Sequence, residues 1–460
     1  MPTSDKTPPF VIIGAGFSGT LLAIHLIRLG GNVVLAERNE ASLGKGLAFG
    51  TRRPEHLLNV RASNMSAFPD DRGHFLRWMG FSSGEQFNRF VPRLAYGQYL
   101  REQLVAAIAS ATGRIRIVSD TAVGVDLSGD LPVVRFVREP AQKAAAVILA
   151  TGNLAPRLPS SLQPLSHTRV IADPWQLGAL DTIDPALRVL LIGTGLTAID
   201  VIVSLAARGH AGSLVAVSRR GLLPLTHAAA GPVVEPVACP DQTGAGLVRL
   251  VRRRARQIGW RAAVDELRPH MQALWRAHSI TGQKRLLRHL RPFWDVHRHR
   301  LAPAVAEQID RLVANGQLRV LGGAIEHAVE AGGSVEIAIR PRGTDDRLKI
   351  DADLIINCTG PEGDIARADS LLLRNLLEAG QACSDVHKLG LQVDEHLRLV
   401  DNIGKPQSAL YAVGPLTRGG IWEMMAVPDI RVQVWNLACR LMGKTKSFIG
   451  TAQQKTRQRK

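Results

Sequence analysis

Residues 10–19 read FVIIGAGFSG, and this stretch decides the fold of the chain. Four apolar, β-favouring residues lead into a Gly-x-Gly-x-x-Gly turn, and an apolar helical run follows at 21–27. This order of strand, turn and helix is the fingerprint of a dinucleotide-binding βαβ unit, in which glycines let the backbone approach a pyrophosphate. A second strand at 32–36 ends at Glu37, 23 residues after Gly14, where a carboxylate can accept hydrogen bonds from an adenosine ribose. Together these elements predict a dinucleotide site rather than an isolated tight turn.

A second stretch of the same kind begins at residue 188. Residues 188–192 read RVLLI, residues 193–198 read GTGLTA, and an apolar helical run continues to residue 207. Alanine replaces the third glycine, which the fingerprint permits. After the next strand, Arg219 and Arg220 occupy the acidic position, and two guanidinium groups suit a ribose 2′-phosphate. We therefore expect NADPH or NADH at this site, the alternative being that the arginines form a solvated surface pair.

Two dinucleotide folds in one chain imply two dinucleotides, and hydride transfer from nicotinamide to FAD is the natural use of both. The glycine-rich segment 44–50 and the loop segment 57–62 suit a path beside an isoalloxazine ring. Small-residue turns end the strand-like runs at 145–149, 354–358 and 409–413, where the chain would return to the flavin. The residues predicted to bind the cofactors are Gly14, Gly16, Ser18, Gly19, Glu37, Asn59, Thr151, Gly152, Gly193, Gly195, Thr197, Arg219, Arg220, Thr359, Gly360, Gly414 and Pro415.

The composition narrows the class of protein. The chain has 460 residues, 45% of them hydrophobic and 21% charged, which is enough for two or three domains with buried cores. It contains no run of 18 apolar residues and no secretory signal, so we expect a cytoplasmic protein without a membrane partner. The four scattered cysteines lack CxxC or metal-ligand spacing and predict neither a disulfide framework nor a metal site.

The net charge of +17 lies mostly outside the nucleotide motifs. Residues 249–300 hold fourteen Lys and Arg against three Asp and Glu, inside a helical insert predicted at 236–312 as a possible cap over the flavin. With Trp260, Trp275 and Trp294, this surface would suit an anionic, planar substrate. The alternative is a solvated basic surface around tryptophans that belong to the core. Nucleic acid is not expected, because no nucleic-acid-binding signature accompanies the charge.

The chain resembles the two-dinucleotide-binding-domain flavoproteins, the superfamily of glutathione reductase and the class B flavin monooxygenases. Within it the chain is most similar to the bacterial FAD-NAD(P)-binding protein family, which includes FAD-dependent urate hydroxylases. The resemblance rests on FVIIGAGFSG, on GKGLAFG and LLNVRA, on residues 91–93 and 96–99, on both Thr-Gly turns and on YAVGPLTRG. Pro415 stands where many relatives carry an aspartate that binds the flavin ribityl chain. The redox cysteine pair of the disulfide reductases is missing, which argues against disulfide chemistry.

This resemblance implies an α/β fold with two Rossmann-like dinucleotide-binding domains and a helical insert. The predicted plan is an FAD-binding part at 1–185, an NAD(P)-binding part at 186–235, the insert at 236–312, an NAD(P)-binding return at 313–350, a C-terminal FAD-binding part at 351–445 and a basic tail at 446–460.

The function expected is that of an FAD-dependent, NAD(P)H-consuming monooxygenase. Its partners would be oxygen and a small planar or anionic substrate, with urate, converted to 5-hydroxyisourate, the leading choice. The first alternative is a reductase or dehydrogenase that passes electrons to a quinone or a protein acceptor, and the second is a flavin-binding sensor without turnover. The motifs single out no catalytic residue and no oligomeric state.

Overall fold

The structure is a computed structural model that describes residues 7–229 and 237–444. The tail predicted at 446–460 lies outside the described residues. The strands are β1 Phe10–Ile13, β2 Val33–Ala36, β3 Ile115–Val118, β4 Ala122–Asp126, β5 Val133–Phe136, β6 Gln142–Lys143, β7 Ala146–Leu149, β8 Val170–Ile171, β9 Val189–Ile192, β10 Leu214–Ser218, β11 Leu318–Ala331, β12 Ser334–Pro341, β13 Leu348–Ala352, β14 Leu354–Asn357, β15 Arg398–Val400 and β16 Pro406–Ala412. The helices are α1 Phe17–Arg28, α2 Gly46–Phe49, α3 His74–Trp78, α4 Gly84–Phe87, α5 Arg93–Ser110, α6 Leu196–Ala207, α7 Gly244–Ile258, α8 Trp260–Leu267, α9 Met271–Ala277, α10 Ile280–His289, α11 Arg291–Arg298, α12 Pro303–Ala314, α13 Leu371–Glu378 and α14 Val427–Leu441.

The first sheet has the strand order β15-β16-β7-β1-β2-β3, and its strands are parallel except for β15. Every residue of β2 and β7 is buried, as expected for parallel strands that are covered on both faces. Helices α1, α5 and α14 pack on one face. The antiparallel sheet β4-β5-β6 and helix α13 cover the other. The carboxyl ends of β1 and β7 therefore lie side by side where the first glycine turn begins.

The second sheet has the order β13-β12-β11-β10-β9-β14-β8. Strands β11, β10, β9, β14 and β8 pair in parallel, whereas β12 and β13 add antiparallel. Helices α6 and α12 pack on one face. The outer part of β11 turns away with β12 and β13 to cover the other face. Both sheets thus combine a parallel centre with an antiparallel three-stranded layer, and the predicted α/β class with two Rossmann-like units is confirmed.

Three elements lie elsewhere than the sequence-based plan has them. Strands β8 and β14 pair within the second sheet, although the plan puts residues 170–171 and 354–357 in FAD-binding ranges. Helix α12 shares a core with α6, so the helices that leave the second unit are α7 to α11. A short apolar strand before a small-residue turn has the same local pattern in either sheet. The sequence therefore does not show to which sheet such a strand belongs, and the predicted domain boundaries stay predictions.

The insert, helices α7 to α11, packs on the loop that joins β16 to α14. An apolar core brings Leu267 and Leu274 of the insert against Trp422 of that loop. Trp275 stacks on Trp422 with 4.6 Å between ring centroids, and its indole N–H donates to the carbonyl oxygen of Gly419 at 3.1 Å. The insert therefore covers the chain that follows the predicted Gly414–Pro415 return.

None of the four cysteines, which all lie in the described residues, forms a disulfide bond. In residues 7–229 and 237–444, no three metal-ligating side chains come together at one point. Nor does any helix in those ranges combine the length and the apolar character needed to cross a membrane.

Candidate functional site

The first glycine turn joins β1 to α1 and lies against the end of β7. Gly14 has φ of +102°, and a Cβ placed there would lie 2.5 Å from the carbonyl oxygen of Ala150. A Cβ at Gly19 would lie 1.9 Å from the carbonyl oxygen of Gly14. Both positions require glycine, because the obstructing atoms are backbone and cannot move aside. The third glycine of the fingerprint thus allows α1 to pack on the turn itself.

The N-terminus of α1 is open to an anion. Gly16 is the N-cap residue and offers no side chain to the free N–H groups, and the first turn of the helix carries no acidic residue. A Cβ at Gly16 would meet only backbone atoms of Gly46, the Cα at 3.4 Å and the nitrogen at 3.9 Å. Unsatisfied N–H groups and the positive end of the helix dipole attract phosphate oxygens. The residues present therefore fit a dinucleotide pyrophosphate.

Glu37 lies at the edge of this turn. One carboxylate oxygen accepts a hydrogen bond from the Ala15 N–H at 2.8 Å, and the other accepts one from the Asn39 N–H at 3.1 Å. These two hydrogen bonds fix the carboxylate beside the turn. Glu37 can reach the turn because it follows β2, which is adjacent and parallel to β1. Two oxygens with remaining lone pairs can also accept hydrogen bonds from ribose hydroxyls.

The C-terminal return meets the first turn at Gly414. This residue has φ of +72°, and a Cβ there would lie 2.4 Å from the Ser18 hydroxyl oxygen. The Gly414 N–H donates to Oε1 of Gln433 at 2.7 Å, and Nε2 of Gln433 donates to the Thr417 hydroxyl oxygen at 3.0 Å. Gln433 lies in α14 and was not found from the sequence, since no local spacing ties it to a turn 19 residues earlier. It fixes the short 3₁₀ segment that begins at Gly414 and includes Pro415.

The second glycine turn repeats this construction between β9 and α6. Gly193 has φ of +123°, and its Cβ would lie 2.3 Å from the carbonyl oxygen of Cys358. Gly195 is the N-cap residue of α6 and provides no side-chain cap. A Cβ on Gly195 would meet no atom within 4 Å, so the turn faces open space there. Thr197 lies in the first turn of α6, half-buried at the edge of that space.

The two Thr-Gly turns occupy equivalent places in the two units. Thr151 and Gly152 directly follow the Ala150 that blocks Gly14, and Thr359 and Gly360 directly follow the Cys358 that blocks Gly193. Both of these glycines have positive φ, +74° at Gly152 and +84° at Gly360. The predicted residues of each unit thus gather at one strand edge, and each Thr-Gly turn flanks a fingerprint glycine.

Arg219 and Arg220 follow β10 beside the second turn. Arg219 is exposed, whereas the guanidinium of Arg220 lies 4.9 Å from the ring centroid of Phe293 in the insert. The stacking holds one of the two positive charges near the carboxyl end of β10. The contact of these arginines with a ribose 2′-phosphate stays a prediction.

Asn59 lies where the two units touch. Its carbonyl oxygen is 3.1 Å from Nε2 of His227, in the loop after β10. Burial, together with Arg300 and Arg61, lowers the pKa of His227 to about 4 despite that hydrogen bond. Arg61 donates to the carbonyl oxygens of Ala228 and Ala229. The predicted flavin-side segment is therefore tied to the second unit.

A charged cluster fills the space between α11 and the start of α14. It consists of three acids and three arginines around one histidine, namely Asp295, Glu423, Asp429, Arg268, Arg291, Arg298 and His299.

Glu423 is central to this charged cluster. Its carboxylate lies 3.5 Å from Nε of Arg298 and accepts a hydrogen bond from the Trp294 indole. Both ion-pair side chains expose 10% of their surface, and burial raises the pKa of Glu423. Its φ of +63° is a strained value for a residue with a side chain. Strain of this kind persists only where the surrounding structure holds the residue in place.

Two further groups of the charged cluster are half-buried. Asp295 pairs with Arg291 at 3.4 Å, and its partial burial raises its pKa despite that ion pair. Burial and then the neighbouring Arg298 lower the pKa of His299 to about 3, so its ring is neutral. In the neutral ring one nitrogen carries a proton and the other can accept a hydrogen bond.

The fold and the two glycine turns define an α/β protein with two Rossmann-like units. The family model described as FAD-NAD(P)-binding matches residues 11–154, about the N-terminal third of the chain. No sequence among the curated proteins matches the chain.

Solved structures of flavoprotein monooxygenases share the fold. The cadaverine monooxygenase of Erwinia amylovora, bound to FAD, has a TM-score of 0.69 at 13% identity, over 98% of this chain and 98% of its own. L-lysine 6-monooxygenase from Pseudomonas syringae has a TM-score of 0.67 at 15% identity, over 96% of this chain and 100% of its own. The ornithine N-hydroxylase of Kutzneria sp. 744, with reduced FAD, NADP+ and L-ornithine, has a TM-score of 0.63 at 16% identity, over 95% of this chain and 99% of its own. The flavoprotein resemblance predicted from the sequence is thus confirmed at the level of the fold.

Proposed function

We propose that the chain is an FAD-dependent monooxygenase that takes electrons from NADPH and hydroxylates a small molecule bearing an amine. The observation that carries the first part is the pair of helix N-termini at Gly16 and Gly195, where no side chain caps the free N–H groups. When bound, the flavin supplies the transfer of electrons from nicotinamide to oxygen.

In this proposal the chain's own residues divide the binding work between the two units. The α1 turn holds the FAD pyrophosphate, Glu37 holds the adenosine ribose, and Gly414 lets the return segment approach the ribityl side. The α6 turn holds the NADPH pyrophosphate, and Arg219 with Arg220 binds its 2′-phosphate.

The charged cluster supports an amine as the substrate class. Its three acids balance its three arginines, so it is not an anion site of the kind that the count of Lys and Arg in the insert suggests. The other two acids of the insert, Asp265 and Glu266, pair with Arg300 and Arg254. The three relatives named above are described as acting on ornithine, lysine and cadaverine, and each of these carries a primary amine. Urate draws no such support.

The residues of the charged cluster have chemistry suited to an amine. Glu423 and Asp295 can accept hydrogen bonds from an ammonium group, and the arginines can pair with a carboxylate on the same substrate. The neutral ring of His299 can accept a hydrogen bond from an amine N–H at its unprotonated nitrogen.

The test is to purify the protein, record its visible spectrum and follow NADPH oxidation with ornithine, lysine, cadaverine and urate. We expect a yellow protein, stimulation by an amine, and a product that gains one oxygen atom from labelled O₂ by mass spectrometry. Glu423→Gln should raise KM for the amine about tenfold, since an interaction with a charged group contributes about 1.5–3 kcal/mol. The matched control is Glu326→Gln. Glu326 lies on β11, away from the charged cluster, and its carboxylate pairs with Arg340 and Arg347.

Each other outcome has a distinct meaning. Rapid reduction of a quinone or a carrier protein without a hydroxylated product would replace the monooxygenase by the reductase alternative. Stimulation of NADPH oxidation by urate alone would instead support urate, the substrate expected from the sequence. A colourless protein that FAD cannot reconstitute would refute the flavin assignment.

A further inference from the structure

The two nucleotide-binding units meet at a buried ion pair. Arg93, the first residue of α5, directs its guanidinium at Asp200 of α6, with Nη1 2.8 Å from Oδ2 and Nη2 3.1 Å from Oδ1. The two side chains expose only 14% and 10% of their surface. The contact is bidentate, which fixes the relative orientation of both groups as well as their distance.

A buried histidine adds a second contact beside this pair. Nε2 of His56 lies 2.8 Å from the Ser204 hydroxyl oxygen and 3.2 Å from the Asp200 carbonyl oxygen, and Nδ1 lies 2.9 Å from the Thr51 hydroxyl oxygen. The carbonyl oxygen can only accept, so Nε2 carries the proton and Nδ1 accepts from Thr51. Trp175, in the chain that crosses between the units, packs edge-on against the ring at 5.8 Å. The imidazole is thus held from both sides.

Asp200 and Ser204 stand four residues apart on one face of α6. One turn of the helix therefore presents both partners to the first unit. Burying an ion pair costs desolvation free energy that its attraction often only offsets, so such a pair contributes little net stability. Contacts between domains by default allow relative motion. A buried bidentate pair between two units opposes that motion, because its geometry fixes the orientation of one unit relative to the other.

Both ends of this contact lie next to a predicted cofactor segment. His56 comes three residues before Asn59, and Arg93 donates from Nε to the carbonyl oxygen of Leu57 at 3.2 Å. Asp200 lies in the helix whose first turn follows Gly195. The contact therefore links the flavin-side segment directly to the nicotinamide-side helix.

We propose that Arg93–Asp200 and His56–Ser204 form an orientation lock that holds the second unit where NADPH can pass hydride to the flavin. This inference rests on the proposed function. The four residues are positioning residues, since they act through the two cofactor segments. A misplacement of about 1 Å between reacting atoms can lower a rate about 100-fold, so a fixed orientation has a direct effect on hydride transfer.

The experiment compares Arg93→Gln and Ser204→Ala with the control Arg188→Gln. Arg188 also makes a bidentate pair with Asp353, at 2.7 and 3.1 Å, but this pair is more exposed and lies wholly within the second unit. For each FAD-loaded protein, anaerobic stopped-flow gives the rate constant of flavin reduction by NADPH, and calorimetry gives the Kd of NADP+. Small-angle X-ray scattering of the full chain reports the arrangement of the units.

We expect Arg93→Gln to lower the reduction rate constant about 10- to 100-fold while the Kd of NADP+ stays near the wild-type value. Ser204→Ala removes one hydrogen bond and should lower the rate constant about fivefold. Arg188→Gln should match the wild type in rate and in scattering, and the scattering of Arg93→Gln should differ from both.

Three results would overturn the lock. The first is a wild-type reduction rate in folded Arg93→Gln and Ser204→Ala. The second is an equal loss in Arg188→Gln, which would mean a general loss of stability. The third is a rise in Kd that accounts for the whole rate change. If NADPH does not reduce the flavin of the wild-type protein, the proposed function fails. In that case the scattering alone tests the lock, and a scattering profile of Arg93→Gln equal to that of the wild type would refute it.

Discussion

Gly193 and Gly195 are two residues apart, and replacing each by alanine should cause opposite failures. At Gly193 the new Cβ would lie 2.3 Å from the carbonyl oxygen and 2.8 Å from the carbonyl carbon of Cys358, both of them backbone atoms. The positive φ of +123° adds about 1–3 kcal/mol, and overpacking adds about 1–3 kcal/mol. Gly193→Ala should therefore lose about 2–6 kcal/mol of a total stability of about 5–15 kcal/mol.

Gly195→Ala should fold and fail to bind. Its φ of −83° suits alanine, and no atom lies within 4 Å of the new Cβ. The folding cost is about 1 kcal/mol, because alanine is a poorer N-cap than glycine. The same methyl would occupy the space predicted for the NADPH pyrophosphate, so the affinity for NADP+ should fall at least about tenfold, or about 1.4 kcal/mol.

The assays are urea denaturation followed by circular dichroism and titration with NADP+ by calorimetry. FAD content serves as an internal control, since neither substitution touches the first turn. If Gly195→Ala were as unstable as Gly193→Ala, the open space at the second turn would be disproved. If it bound NADP+ like the wild type, the turn would not be the pyrophosphate site.

Two further changes test other features of the chain. Replacing Arg219 and Arg220 together by alanine should lower the ratio of kcat/KM for NADPH to kcat/KM for NADH about tenfold or more, because a charge-assisted contact to the 2′-phosphate is lost. An unchanged ratio would mean that the two arginines form a solvated surface pair. His25 is fully buried beside Trp435, and burial followed by the nearby Arg28 lowers its pKa to about 3. A base whose pKa is lowered in the folded state favours folding above its unfolded pKa of 6.5, so stability should fall from pH 6.5 towards pH 3 by at most about 1.4 kcal/mol per pH unit. His25→Phe should reduce that slope, measured as unfolding free energy against pH, and an equal slope in both proteins would assign it to other groups.

The predictions that succeeded rest on local rules. The glycine turn at Gly14 follows from a strand, a tight turn and a helix within twenty residues, and the structure puts Glu37 beside it because a βαβ unit makes the two strands neighbours. The second turn at Gly193 could be predicted in the same way. The blocked Cβ positions explain why both turns need glycine, although the blocking atoms come from a strand more than 130 residues away in each case.

The sequence by itself determined the fold class and the two glycine turns, because their signals are short-range periodicity and spacing. Only the tertiary structure decided which distant side chains meet, such as Gln433 with Gly414 and Arg93 with Asp200. It also decided which charges of the insert are paired: the count of arginines suggested an anion site, but the chain folds Asp295, Glu423 and Asp429 against three of those arginines. A net charge can be summed along a sequence, whereas the field at a site depends on which charges lie within a few ångströms of one another, and that is fixed by packing.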